Sequence, residues 1–192
     1  VDLLLYRMLN KHFHEAFSNR TFAYRFRGFG VDRCQHRIRG ALDRDGTPLY
    51  GFKRDIADYF PSIDHDILLA ALREWVDPDD YLFDLLEQRV RFSFWRGDGL
   101  WSAERGVPFG AAIACFLANF YLVPLDRALE SVPGLSCFRY ADDILAFSSD
   151  RDAALEGMER FAVMLDELNL QAKPKQHHDY IFAMQSLVDP MF

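Results

Sequence analysis

Apolar residues recur along the chain with two different periods, and the change from one to the other marks the elements. Leu5, Leu9, Phe13 and Phe17 fall at every fourth position, which places an apolar face on a helix over residues 2–17. Arg20 to Arg39 is a basic stretch with interleaved aromatics, and Asp43-Arg-Asp-Gly46 after it reads as a turn. Leu49 to Ile56 is short, apolar and aromatic, and predicts a strand. Ser62 or Asp64 can then cap a helix that carries Ile67, Leu68, Ala71, Leu72 and Trp75. Asp77-Pro78-Asp79-Asp80 offers a capping acid, a proline for the first position and acids that complement the dipole, so a second helix is predicted from there to about Val90. Phe92 and Phe94 alternate with polar neighbours into Gly97-Asp98-Gly99, and Leu100-Trp101 completes a hairpin. Gly106-Val-Pro-Phe-Gly110 is a tight loop before a helix that is apolar on nearly all sides, the pattern of a central core helix. Leu135 to Tyr140 and Ile144 to Phe147 predict two strands around Ala141-Asp142-Asp143. Leu155, Met158, Phe161, Leu165 and Leu168 predict an amphipathic helix with Asn169 as its C-cap. With no repeat and no internal linker, the order predicts one α+β domain.

Composition narrows this only a little. The chain has 192 residues, half of them apolar, with 18 phenylalanines, which suits one domain with a core of large flat side chains. The apolar run from Ala111 to Leu125 is 15 positions long and interrupted by Asn119, shorter than a bilayer requires, so no membrane partner is expected. Asn119 itself needs a backbone or loop partner if buried. The start at Val1 carries no basic leader and no initiator Met, and suggests a piece of something longer. Cys34, Cys115 and Cys137 match neither a zinc spacing nor a disulfide framework, and read as buried thiols of a reducing compartment. The net charge of −7 opposes tight nucleic-acid binding through this surface alone, because neutralising phosphates takes Lys and Arg.

Two acidic positions change the picture more. Asp142-Asp143 sits where two apolar strands meet, without the glycine that two-residue hairpin turns favour. Adjacent like charges repel and call for a cation or good solvation. One Asp at a hairpin would be a turn residue; two are a stranger choice. Asp55 ends the strand Leu49 to Ile56, where alone it would be a cap or a salt-bridge partner of Lys53 or Arg54. Together these strand ends can bring carboxylates into one place, and an all-oxygen donor set suits Mg²⁺ or Mn²⁺ rather than zinc. Because neighbouring strand residues point to opposite faces, Asp142 takes the role facing Asp55 and Asp143 a supporting one.

These residues resemble a known family. Arg139-Tyr-Ala-Asp-Asp143 is similar to the YADD box of bacterial reverse transcriptases, those of group II introns, retrons and diversity-generating elements among them. Residues 55–65, Asp-Ile-Ala-Asp-Tyr-Phe-Pro-Ser-Ile-Asp-His, resemble the first palm motif. Gly106 to Gly110 with Leu117-Ala-Asn-Phe-Tyr-Leu122 and Leu125-Asp126 resembles the Gly-x-Pro-Gln-Gly motif and its following helix. Phe22 to Gly28 resembles the short Arg/Gly segment before the first palm motif. The resemblance runs from about residue 20 to 176 with the motifs in order. It implies a polymerase palm with an antiparallel sheet backed by helices over residues 49–192, and partial fingers, with a helical and basic segment, over 1–48. The remaining fingers motifs and the thumb are expected to lie outside this sequence.

The implied activity is RNA-directed DNA polymerisation, adding deoxynucleotides to the 3′-hydroxyl of a DNA or RNA primer on an RNA template. Two Mg²⁺ or Mn²⁺ ions would be held by Asp55, the Ile56 carbonyl and Asp142, with Asp143 supporting. Phe60 stands where the family places a bulky ring against a ribose 2′-hydroxyl; otherwise it is one more core aromatic. Phe109 and Gly110 would lie at the nucleotide, Tyr140 under the primer end, and Lys173 or Lys175 at the leaving pyrophosphate, where an ungapped match instead puts Gln176. Arg25 and Arg27 could track a template backbone, or equally form a surface segment offsetting the acidic body. His65 is expected to cap or pack its helix start, and His177-His178 to be solvated. Phe109 departs from the family's Gln, and Ala111, Ala112, Ala114 and Cys115 from its Ser-Pro pairs, which resembles the divergent lineages linked to phage defence. That departure keeps open template-independent or protein-primed synthesis, and, in another class, a non-catalytic palm that binds nucleic acid or assembles with partners. A bacterial cytoplasm is the implied location, with a non-coding RNA or an accessory protein as a further partner.

Overall fold

The computed structural model describes residues 1–25, 28–46, 49–174 and 182–184. Its centre is a four-stranded antiparallel sheet in the order β4-β5-β1-β6, from β1 (Leu49–Arg54), β4 (Ser136–Tyr140), β5 (Asp143–Ser148) and β6 (Phe182–Met184). β1 lies inside the sheet, with Tyr50 opposite Ser148 and Arg54 opposite Ile144 on one edge, and Leu49 opposite Met184 on the other. Alternation splits the strand residues between two covered faces. Phe52, Ile144, Ala146 and Cys137 belong to the main core, while Leu49, Phe138, Leu145 and Phe147 form a smaller one. Gly51 leaves no room for a side chain against β5: a Cβ there would lie 2.5 Å from the Ala146 carbonyl oxygen and 2.8 Å from Phe147 Cβ.

The main core is roofed by α1 (Asp2–His12), α4 (His65–Arg73), α5 (Tyr81–Val90), α6 (Ala112–Tyr121), α7 (Val123–Glu130) and α8 (Arg151–Glu167). α6 is buried from Ile113 through Tyr121 except for the half-buried Cys115, as its all-round apolarity predicts. The helical run Ala112–Glu130 is longer than expected and apolar enough by length and composition to cross a membrane, but 72% of that stretch is buried inside the fold. The predicted N-terminal helix stops at His12, and a 3₁₀ turn over His14–Ala16 carries Phe17 to the core.

Several expectations need correction. The basic stretch and the turn at Asp43–Gly46 are mostly helix: α2 (Val31–Asp45) closes only at Gly46, whose φ is 70°. Cys34, Ile38 and Ala41 give α2 an apolar stripe that covers the smaller core, while its arginines face outward. Asp64, not Ser62, caps α4, accepting from the backbone N–H groups of Asp66 and Ile67, while Ser62 ends the short helix α3 (Tyr59–Ser62). The cap of α5 is Asp80 rather than Asp77, which closes a turn of its own by accepting from Asp79 N. The hairpin forms as predicted from β2 (Ser93–Arg96) and β3 (Gly99–Ser102), though Phe94, Trp95, Leu100 and Trp101 are exposed. His65 is buried and its Nε2 donates to the Gly106 carbonyl at 2.7 Å, so it packs the helix start.

Candidate active site

The antiparallel register of β1 and β5 decides which side chains meet. Arg54 pairs with Ile144, so the residues just beyond, Asp55 on one strand and the β4–β5 turn on the other, leave the sheet at the same edge. Tyr140 pairs with Asp143, which makes Ala141-Asp142 a two-residue turn. Ala141 has φ 57° and Asp142 does not share the positive sign, the pattern of a II′ turn whose first position is normally glycine. Asp142 therefore sits at the tip, facing Asp55, while Asp143 starts β5 and lies 3.6 Å from Lys53 Nζ. The two adjacent acids thus face different neighbours, Asp142 towards Asp55 and Asp143 towards Lys53.

The Asp55 and Asp142 carboxyls come within hydrogen-bonding range of one another. Burial first, then the facing Asp55 carboxyl and the charge of Asp143, push the Asp142 carboxyl up to about 6, with its own backbone N–H opposing. Asp55 Oδ1 is buried with no hydrogen-bond partner, while Oδ2 contacts the Lys173 ammonium. An unpartnered buried carboxylate oxygen is costly and is what a cation ligand looks like without its ion. Two converging carboxylates with only oxygen donors fit a hard divalent cation. Among the described residues no group of three or more acids, histidines or cysteines has metal-site geometry.

Lys173 reaches this pair through backbone pairing. α8 ends with Leu168 as C-cap and Asn169 left-handed at φ 51°, and Leu170 N donates back to Leu165 O at 2.8 Å. The chain then runs beside residues 55–57, with Ala57 N donating to Gln171 O and Lys173 N donating to Asp55 O, both at 2.8 Å. Contact with Asp55 raises the Lys173 ammonium's pKa. Lys175, the alternative, and Arg27 lie outside the described residues. Ile56 is buried and bridges to Ala172.

Phe60 lies half-buried at the centre of three ring contacts, with Tyr59 at 5.8 Å, Phe109 at 5.7 Å and Tyr24 at 6.1 Å, all close to edge-on. Its neighbour Tyr59 is buried and donates its hydroxyl to Ala118 O. The loop bearing Phe109 is clamped to this segment: Gly106 N donates to Ile63 O at 2.7 Å and Val107 N to Phe60 O at 3.1 Å. Phe109 is 86% exposed, and Gly110, at φ 91°, turns the chain into α6. Gly106 has φ 85°, and a Cβ there would sit 3.0 Å from Pro61 Cα. Gly106→Ala is therefore expected to destabilise the domain by about 1–2 kcal/mol, read as a lower urea midpoint at unchanged slope.

Arg25 and Tyr140, the residues expected at template and primer, both have well-defined surroundings. Arg25 donates to the carbonyls of Ser18, Thr21 (3.2 Å) and His14 (3.2 Å) and stacks 4.0 Å from the Phe29 ring centroid, so its fork ties the N-terminal segment together. Burial brings its pKa down to about 10. Tyr140 is half-buried against the smaller core, beside Cys34, Ile38 and Asp143. Sequence reasoning overlooked Arg139 as a residue in its own right. It is 1% exposed and forks onto Asp126 at 2.7 and 2.6 Å. A lone arginine inside an otherwise apolar strand was the available signal.

An antiparallel sheet backed by helices, with two acids meeting where β1 and β5 end, is an arrangement similar to a polymerase palm. Residues 3–180 match the family model described as reverse transcriptase (RNA-dependent DNA polymerase), and the chain belongs to that family. Among solved structures it resembles telomerase from Candida albicans in complex with a TWJ fragment of telomeric RNA, at 12% identity over 90% of this chain and 34% of that one, with a TM-score of 0.69. It also resembles apo telomerase from Candida tropicalis truncated from its C-terminal domain, at 12% identity over 98% of this chain and 40% of that one, with a TM-score of 0.65. The chain thus spans 34–40% of the length of these neighbours, and the likeness is one of fold. No curated protein matches the chain.

Proposed function

We propose that this domain performs RNA-directed DNA polymerisation, transferring deoxynucleotides from dNTPs to a primer 3′-hydroxyl on an RNA template. The observation that carries the reading is the Asp55–Asp142 pair, with Asp55 Oδ1 buried and unpartnered, in a chain of the reverse transcriptase family. Asp55 and Asp142 would hold Mg²⁺ or Mn²⁺, helped by the Ile56 carbonyl and, from the neighbouring face, Asp143. When bound, two such ions supply Lewis acidity that makes the primer hydroxyl a better nucleophile and neutralises triphosphate charge. Lys173, on a long stem at the rim, would reach from Asp55 to the leaving pyrophosphate and give up a proton there. The Phe60 ring, buttressed by three others, excludes a 2′-hydroxyl by bulk. A bacterial origin, with the cytoplasm as its location, follows the form of the box at residues 139–143.

Exposed Phe109 favours a second reading. A residue without hydrogen-bonding groups at that loop can stack on a base pair but cannot read it, which suits template-independent or protein-primed synthesis of the defence type. Primer extension on RNA, on DNA and without template, each with Mg²⁺ or Mn²⁺, tests both. Template-matched product supports the first reading, homopolymer the second, and no metal-dependent synthesis under any condition would leave a binding or assembly module. Phe60→Ala is expected to raise ribonucleotide incorporation roughly tenfold or more relative to deoxynucleotides, the scale at which steric pocket changes act. An unchanged ratio would remove Phe60 from sugar selection.

A further inference from the structure

We infer that Arg139 is a positioning residue for Asp142: from inside the core its guanidinium fixes the Ala141 carbonyl, and so sets the peptide plane that carries the acid. The inference rests on the reading of Asp142 as a metal ligand. All five guanidinium N–H groups are used. Nε and Nη2 donate to the two Asp126 carboxylate oxygens at 2.7 and 2.6 Å. Nη1 donates to Asn119 Oδ1 at 2.8 Å and to Ala141 O at 2.9 Å, and Nη2 also reaches Asn119 O at 3.3 Å. The partners are held in turn: Thr21 Oγ1 donates to Asp126 Oδ2 at 2.9 Å, and Asn119 Nδ2 to Ala23 O at 3.1 Å.

Three physical arguments converge on a positioning role. A buried ion pair is an inefficient way to stabilise a core, since an apolar group of similar size often does as well. The contact with Ala141 is made where it matters for geometry, because that residue stands at φ 57° without being glycine and its carbonyl belongs to the peptide whose nitrogen is Asp142's. Finally, the backbone of Arg139 ties in the N-terminal segment: Arg139 N donates to Arg20 O at 2.9 Å and Phe22 N to Arg139 O at 3.0 Å. One residue, by side chain and backbone together, thus joins the α6–α7 bend, the 20–23 segment and the acidic turn. Lysine keeps the charge but not the planar fork that reaches three partners at once.

The test is Mn²⁺ binding by the full chain, read from loss of the free-ion paramagnetic signal, which needs no turnover. Arg139→Lys is expected to bind Mn²⁺ roughly tenfold more weakly, the scale of losses when an outer group orienting a metal ligand is removed. Leu129→Ala, a buried change on α7 away from the turn, serves as the comparison for lost stability alone and is expected to bind like the parent. Ala141→Gly, which adopts a positive φ freely, is expected to restore part of the affinity to Arg139→Lys. Parent-like binding by Arg139→Lys, or an equal loss in Leu129→Ala at a matched Tm, would overturn the inference. Should Arg139→Lys not fold, Asn119→Ala removes one stop on the same Nη1, and unchanged Mn²⁺ affinity in it would overturn the inference equally. Asp142→Asn separates the layers. If it leaves Mn²⁺ binding intact, the metal-ligand reading itself fails and this inference with it. If it abolishes binding while Arg139→Lys does not weaken it, only the positioning role falls.

Discussion

Asp142→Asn is expected to reduce primer extension by roughly a thousandfold, since several kcal/mol of charge stabilisation at about 1.4 kcal/mol per decade are lost with a ligand of the ions. The same substitution is expected to make the chelator-treated domain more stable at neutral pH. Asp142 titrates at about 6 in the fold, above the ordinary carboxyl value of 3.8. A raised carboxyl pKa means that the folded state binds the proton more tightly than the unfolded one, so ionised Asp142 opposes folding. The stabilisation by the neutral amide should be complete above pH 6, shrink as pH falls between 6 and 4, and vanish below. Thermal melts across that range in EDTA check the sign. A lower Tm for Asp142→Asn at pH 7.5 would mean that the paired carboxylates do not strain the fold.

The second large effect is on stability. Asp126→Ala is expected to destabilise the domain by about 3–5 kcal/mol, because it leaves the Arg139 guanidinium charged, buried and short of its two best acceptors. Burial lowers the pKa of the Arg139 guanidinium and Asp126 more than offsets it; without Asp126 that support is lost, yet a guanidinium is too basic to escape by giving up its proton. Denaturant unfolding measures the loss, and a change below 1 kcal/mol would show that water reaches the network. The double replacement of Asp126 and Arg139 by apolar residues is expected to recover much of the stability lost by the single one, which a double-mutant cycle reports as coupling.

What could be read in the sequence was whatever local pattern controls. The strands at 49–54, 136–140 and 143–148, the core helix α6 and the convergence of Asp55 with Asp142 all follow from period, turn chemistry and strand alternation. α2 was missed although Cys34, Ile38 and Ala41 stand at helical spacing, because six arginines between Arg20 and Arg39 gave the stretch a polar appearance that a one-sided surface helix also produces. The start of α5 was displaced to Asp77 since four residues in a row all satisfied the rules for a helix beginning, and only packing selects Asp80. Arg139 looked like part of a motif because its partners come from residues 20–23, 119 and 126, a set that no local window contains. The meeting of Lys173 with Asp55 depends on one left-handed residue, Asn169, which lies one position past the actual C-cap Leu168 and turns the chain towards β1.

The order of the strands has a kinetic side. β4 and β5 are joined by a two-residue turn and can zip early, whereas β1 must find β5 across a stretch of chain that contains five helices and a hairpin. Closing so long a loop is entropically slow, and the pairing gives this domain a high contact order. Asp55 and Asp142 are brought together only by that late step. Their repulsion is therefore deferred until most of the core is present to bear it, and a nascent chain offers no half-formed carboxylate pair to stray cations. Divalent ions that bind only the closed sheet should slow unfolding more than they speed refolding.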